Sequence, residues 1–93
     1  HRRSGARLRD LNLLIVEDSE DNQMLFLSYL RDSGAHVQTA NDGLQGYQQA
    51  LNGKFDMILM DIQMPRLDGH QATAKLRAAG FEKPIIALSA HAL

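Results

Sequence analysis

Four polar side chains in this 93-residue sequence stand where an apolar run stops. Glu17 and Asp18 close the run LNLLIV, Asp61 closes MILM, and Ser89 closes PIIAL. A charge at the end of a buried run is costly unless it is paired, hydrogen-bonded or bound to a metal. Two carboxylates about 4 Å apart repel by roughly 4 kcal/mol at an effective dielectric near 20. Three would destabilise a small domain or force one of them to stay protonated. A hard divalent cation removes that problem, and Mg²⁺ favours one or two carboxylates, waters and a phosphate oxygen. Such a set suits phosphoryl chemistry, in which a metal neutralises charge and aligns an in-line attack. A carboxylate can itself be the nucleophile and become an aspartyl phosphate.

These side chains must be brought together, and the rest of the sequence shows how. LNLLIVE (11–17) predicts a strand buried on both faces. SEDNQMLFLSYLRDSG (19–34) predicts a helix with acids in its first turn, Arg31 in its last and Gly34 to end it. AHVQTA (35–40) alternates as a strand does, and DGLQGYQQALNG (42–53) predicts a helix capped by Asp42 and stopped by Gly53. DMILMD (56–61) predicts a second fully buried strand. DGHQATAKLRAAG (68–80) predicts a helix with Asp68 as cap, Gln71 at the capping-box position, Arg77 in the last turn and Gly80 beyond it. PIIALS (84–89) predicts a third buried strand, opened by Pro84. The order β-α-β-α-β-α-β, with right-handed crossovers, gives an open parallel sheet with helices on both faces. Ligands bind such sheets outside the carboxyl ends of the strands. Glu17, Asp18, Asp61 and Ser89 are therefore expected along one edge.

Composition narrows the alternatives. The length allows one domain with a marginal core, and 44% apolar residues support a globular fold. Without cysteine there is neither a disulfide framework nor a thiolate metal site. A net charge of −1 argues against nucleic-acid binding by the body of the domain. No apolar run approaches the ~20 residues of a membrane span, and no signal-peptide pattern is present. A cytoplasmic domain with no membrane contact of its own is expected. HRRSGARLRD (1–10) carries four arginines and no apolar periodicity. It is read as a linker or tag remnant before a domain at 11–93, with a basic arm as the alternative. Nucleotide-cradling glycine motifs are missing, His1, His36, His70 and His91 lack metal-ligand spacing, and Ser89 has no His-Asp partnership. Met57, Met60 and Met64 are read as core or turn contacts. In the first helix, Met24, Leu25, Phe26, Leu27, Tyr29 and Leu30 cover more than the ~100° stripe that packing on a sheet requires. The excess predicts a further helix beside it, which this sequence does not supply.

LLIVEDSEDNQ, FDMILMDIQMPRLDG and PIIALSAHA closely resemble the receiver domain of two-component response regulators, in the form carried by hybrid sensor kinases. The resemblance runs from about residue 11 to the end of the sequence. It implies a flavodoxin-like doubly wound parallel sheet with strand order 2-1-3-4-5. It implies Asp61 as phosphoacceptor, Asp18 as a direct Mg²⁺ ligand and Glu17 as a ligand acting mainly through water. The backbone carbonyl of Gln63 would be the third protein contact to the metal. Ser89 would be the hydroxyl that swings towards the phosphoryl group, and Met64-Pro65 and Asp68-Gly69 would shape the turn into the third helix. The implied partners are a histidine kinase or a histidine phosphotransfer domain.

The resemblance also has a gap. Receivers carry a fifth strand with a lysine that pairs with the phosphoryl group, then a last helix. Here the order stops at 2-1-3-4, and Lys54, Lys75 and Lys83 are not placed to substitute. As written, the sequence is expected to be C-terminally incomplete, poorly stable alone and weak in phosphotransfer, with a homodimer or swapped partner as one way to complete the fold. Two further readings stay open. One is a dimerisation or docking module that works without phosphorylation. The other is a Mg²⁺ phosphohydrolase with an aspartyl nucleophile, which would need a second Asp where Gln63 stands. The same residue weakens a primase-topoisomerase-type metal site.

Overall fold

The computed structural model describes residues 9–30, 32–62, 64 and 67–88. Seven elements follow one another: β1 (Asn12–Val16), α1 (Glu20–Leu30), β2 (His36–Ala40), α2 (Gly43–Asn52), β3 (Met57–Asp61), α3 (Gly69–Ala78) and β4 (Ile85–Leu88). The four strands are parallel and lie in the order β2-β1-β3-β4. The fold is the flavodoxin-like α/β arrangement, with the 2-1-3-4 order expected from the sequence. Chain direction across the sheet reverses between β1 and β3, which makes their carboxyl ends the switch point.

Strand alternation divides the core into two layers. Leu14 and Val16 of β1 face the same way as Ile58 and Met60 of β3, because Leu14 pairs with Ile58 and Val16 with Met60. Ala50 of α2 and Ala72 and Leu76 of α3 complete that cluster. Leu13 and Ile15 point to the other face and are buried as well. A right-handed β1-α1-β2 crossover puts α1 over that face. β1 is thus the strand enclosed on both faces that its continuous apolar run predicted.

The other two apolar strands are less enclosed than their sequences suggest. In β3 only Ile58, Met60 and Asp61 are buried, and Met57 and Leu59 are half-buried. These two share the α1 face with Leu13 and Ile15. β4 is not a buried strand: Ile86 and Ala87 are exposed, and Ile85 and Leu88 are half-buried. Among the described strands it lies at the sheet edge, with β3 on one side. An uninterrupted apolar run tells how much greasy surface a strand carries but not whether its neighbours suffice to cover it. The wide arc of α1 has the same fate, with Met24 66% and Tyr29 71% exposed.

Local chemistry sets the ends of the helices. α1 stops at Leu30, short of the expected Gly34. The Ser33 amide and hydroxyl both donate to the Leu30 carbonyl, at 3.0 and 2.7 Å, and turn the chain early. Arg31 lies outside the described residues. Asp42 caps α2, accepting from the Gln45 amide at 2.8 Å. Asp68 and Gln71 form the full capping box at α3, with bonds of 2.9 and 3.1 Å.

α2 rests directly on β1 at Gly46, where a Cβ would come within 2.6 Å of Val16 Cγ2. Val16 is fully buried and has no space to yield. Gly46→Ala is expected to destabilise the fold by about 1–3 kcal/mol, the usual result of overpacking. Urea unfolding measures this, and an unchanged midpoint would show that α2 can lift from the sheet at no cost.

Candidate functional site

β1 and β3 are adjacent, parallel and in register at Val16 and Met60. The next residue on each strand is a carboxylate, Glu17 on one and Asp61 on the other, and Asp18 follows. Carboxylate oxygens from Glu17, Asp18 and Asp61 all lie within 4.8 Å of one another. The trio sits at the switch point, where the sequence placed it. Glu17 is 2% exposed and Asp61 3%, whereas Asp18 is open to solvent. Two buried carboxyl groups thus back one exposed carboxyl group at the sheet edge. Gln63 and Ser89, the other two expected site residues, lie outside the described residues.

The two buried acids are held by the backbone around them. The Glu17 amide extends the β1–β2 ladder by one bond to the Ala40 carbonyl, at 3.0 Å. Its carboxylate turns back to accept from the Ser19 amide at 2.9 Å. Ser19 then caps α1: its hydroxyl accepts from the Asn22 amide at 3.3 Å. Asp61 ends β3, and the Ile62 amide beyond it donates to the Leu88 carbonyl at 3.2 Å. The first residue of α3 packs on the same peptide. A Cβ on Gly69 would come within 2.3 Å of the Asp61 carbonyl oxygen, so only glycine lets α3 start this close.

The electrostatic cost falls on Glu17. Burial pushes its carboxyl above the ordinary value of 4.5, and its bond to the Asp18 carboxyl and the charge of Asp61 push the same way. The Ser19 amide and the Asn22 side chain oppose them. Three hard oxygen donors this close, one facing water, suit a cation such as Mg²⁺ that keeps part of its own hydration. Among the described residues, a cavity of about 600 Å³ lies at the opposite edge, by the amino ends of the strands beside Asn12, Phe55 and Lys83.

The sequence reading overlooked Gln23. It lies buried beneath the acidic turn and bonds to it. Its signal was a polar residue at the head of the half-buried stripe Gln23, Phe26, Leu27 and Leu30, with the i, i+3, i+4, i+7 spacing of an inward helix face.

Comparison with known proteins agrees with this geometry. Residues 13–93 match the family model described as the response regulator receiver domain. The chain is 40% identical over 86 residues to the sensor protein GacS of Pseudomonas syringae pv. syringae, covering 87% of this chain and 10% of that protein. It is 33% identical over 84 residues to the sensor histidine kinase RcsC of Escherichia coli, covering 90% of this chain and 9% of that protein. Among solved structures, response regulator TrrA of Thermotoga maritima, in complex with Mg²⁺ and BeF, superposes with a TM-score of 0.82 at 26% identity. That match covers 86% of this chain and 70% of the other. The chain belongs to the response regulator receiver domain family. It spans about a tenth of the length of these two curated relatives.

Glu17 adds a pH dependence to stability. The group binds its proton more tightly in the folded than in the unfolded chain. Its contribution to stability is therefore full below 4.5 and is lost as pH rises through the higher folded value. In metal-free protein, Glu17→Gln is expected to raise the thermal midpoint near neutral pH and to change it little in acid. A variant that loses stability over that interval as steeply as the wild type would place the titrating group elsewhere.

Proposed function

We propose that this domain is the phosphoacceptor of a two-component phosphorelay in the cytoplasm, with Asp61 taking a phosphoryl group from a phosphohistidine on a histidine kinase or a histidine phosphotransfer domain. The observation that carries this reading is the convergence of Glu17, Asp18 and Asp61 within 4.8 Å at the switch point. The Mg²⁺ and BeF complex of TrrA supports it by likeness of fold.

In this reading a carboxylate oxygen of Asp61 attacks phosphorus, the P–N bond to the imidazole breaks, and the departing nitrogen keeps the electron pair and takes a proton. Asp61 suits the role because β3 and the start of α3 fix its backbone while its side chain lies at the ligand-binding edge. Glu17, Asp18, Asp61 and the Gln63 carbonyl would hold Mg²⁺, with Glu17 acting mainly through water. When bound, that ion neutralises charge on the carboxylates and the incoming phosphoryl oxygens. Phosphorylation adds about −1.5 to −2 charge and three acceptor oxygens. The Ser89 hydroxyl, assigned from the resemblance, would donate to one of them and bias the surface beyond β4 towards a second conformation. The module acts as a switch for a partner rather than as an enzyme on external substrates.

The test is incubation with acetyl phosphate and Mg²⁺, followed by intact mass. Wild-type protein should gain one phosphoryl group, and the gain should vanish with Asp61→Asn or with chelation of the metal. Equal labelling of the Asp61→Asn protein would overturn the reading, and no labelling of any variant would favour a docking module. Ser89→Ala should still be labelled but should change partner binding less on phosphorylation, measured by calorimetry with the phosphotransfer partner. An unaltered partner response would remove Ser89 from the switch.

A further inference from the structure

We infer that Gln23 is the positioning residue of the acidic site, a buried clamp that holds the Glu17–Asp18 turn where its carboxylates can share a cation with Asp61. This inference rests on the Mg²⁺ reading above and assigns a role to a residue that bonds to the backbone of Glu17 and to none of the three carboxylates.

Gln23 is 9% exposed on the first turns of α1. Its Nε2 donates to the Glu17 carbonyl at 2.6 Å and to Asn41 Oδ1 at 2.9 Å, with the Ala40 carbonyl at 3.5 Å. An amide nitrogen has two hydrogens, and the two short bonds use both. The Glu17 carbonyl lies one residue past the paired strand ends, Val16 of β1 and Ala40 of β2. No further β2 residue continues the ladder there, and Gln23 supplies a donor. Asn41 is itself fixed, because its amide donates to Gln45 Oε1 on α2 at 3.1 Å. One side chain therefore ties together the end of β1, the end of β2, and the starts of α1 and α2.

The consequence falls on Asp18. It is the exposed member of the trio, and its place depends on the peptide that Gln23 grips. Mg²⁺ demands near-ideal octahedral geometry at 2.0–2.1 Å, so a small tilt of the turn weakens binding. A leucine or methionine at position 23 would fill the volume but leave the buried Glu17 carbonyl short of a donor. Supporting residues behind metal ligands are commonly worth about 10–100-fold in affinity.

The test is calorimetric titration of the whole chain with Mg²⁺ alone, at a temperature where circular dichroism shows every variant folded. Gln23→Met should weaken Mg²⁺ binding by about tenfold or more. A core variant on α2, Ala50→Gly, should not weaken it at a temperature where it is folded. Labelling of Gln23→Met by acetyl phosphate should return to the wild-type rate at high Mg²⁺, because the acceptor itself is untouched. Asn41→Ala, at an exposed residue, removes one partner of the clamp and should weaken Mg²⁺ by a smaller factor with little loss of stability. It serves as the test if Gln23→Met does not fold. Wild-type affinity in Gln23→Met, a loss matched by Ala50→Gly, or wild-type affinity in Asn41→Ala when Gln23→Met is unfolded would overturn the clamp and leave the acceptor reading standing. A wild-type chain that binds no Mg²⁺ would end both.

Discussion

Mutual repulsion among three carboxylates at the ends of β1 and β3 is the constraint on which this structure turns. A marginal domain does not gather such charges on stability grounds, and the proton affinity of Glu17 is raised, first by its burial and then by Asp18 and Asp61. The repulsion is tolerated because the groups are fixed by elements that are themselves well held. β1 is enclosed on both faces, β3 is locked to it in register, and α3 begins against the Asp61 peptide. Local rules broken at one place and compensated around it mark a site kept for function.

The surrounding residues divide the task of holding it. The Ser19 amide and the Asn22 side chain favour the charged form of Glu17 and limit the cost of its burial. Gln23 works from below, on the backbone rather than on the charge. Gly69 lets α3 approach so closely that Asp61 cannot retreat. Position and charge are thus controlled by different groups, and Asn22 and Gln23 make the two separable by mutation.

The two faces of the sheet differ in how completely they are covered. α2 and α3 close one face over Leu14, Val16, Ile58 and Met60. On the other, Leu13 and Ile15 are buried, but Met57 and Leu59 are half-buried and Ile86 is exposed.

Much of this was legible in the residues. Apolar runs closed by Glu17-Asp18 and Asp61 announced strands with acids at one edge, and the caps at Asp42 and Asp68 announced two helix starts, because these signals are local and act within a few residues. Alternation of strands and helices, with right-handed crossovers, then fixed the fold class. The sequence did not show that β4 and half of β3 lack cover, because burial depends on neighbours that periodicity does not report. Nor did it show that Ser33 would end α1 early, or that Gln23 would reach a strand end and a loop eighteen residues away. Residue types determined which groups could bind a cation and carry a phosphoryl group. Only the packing of α1 against the β1–β2 edge decided what holds them, since a hydrogen bond between distant segments exists only once the chain has brought them together.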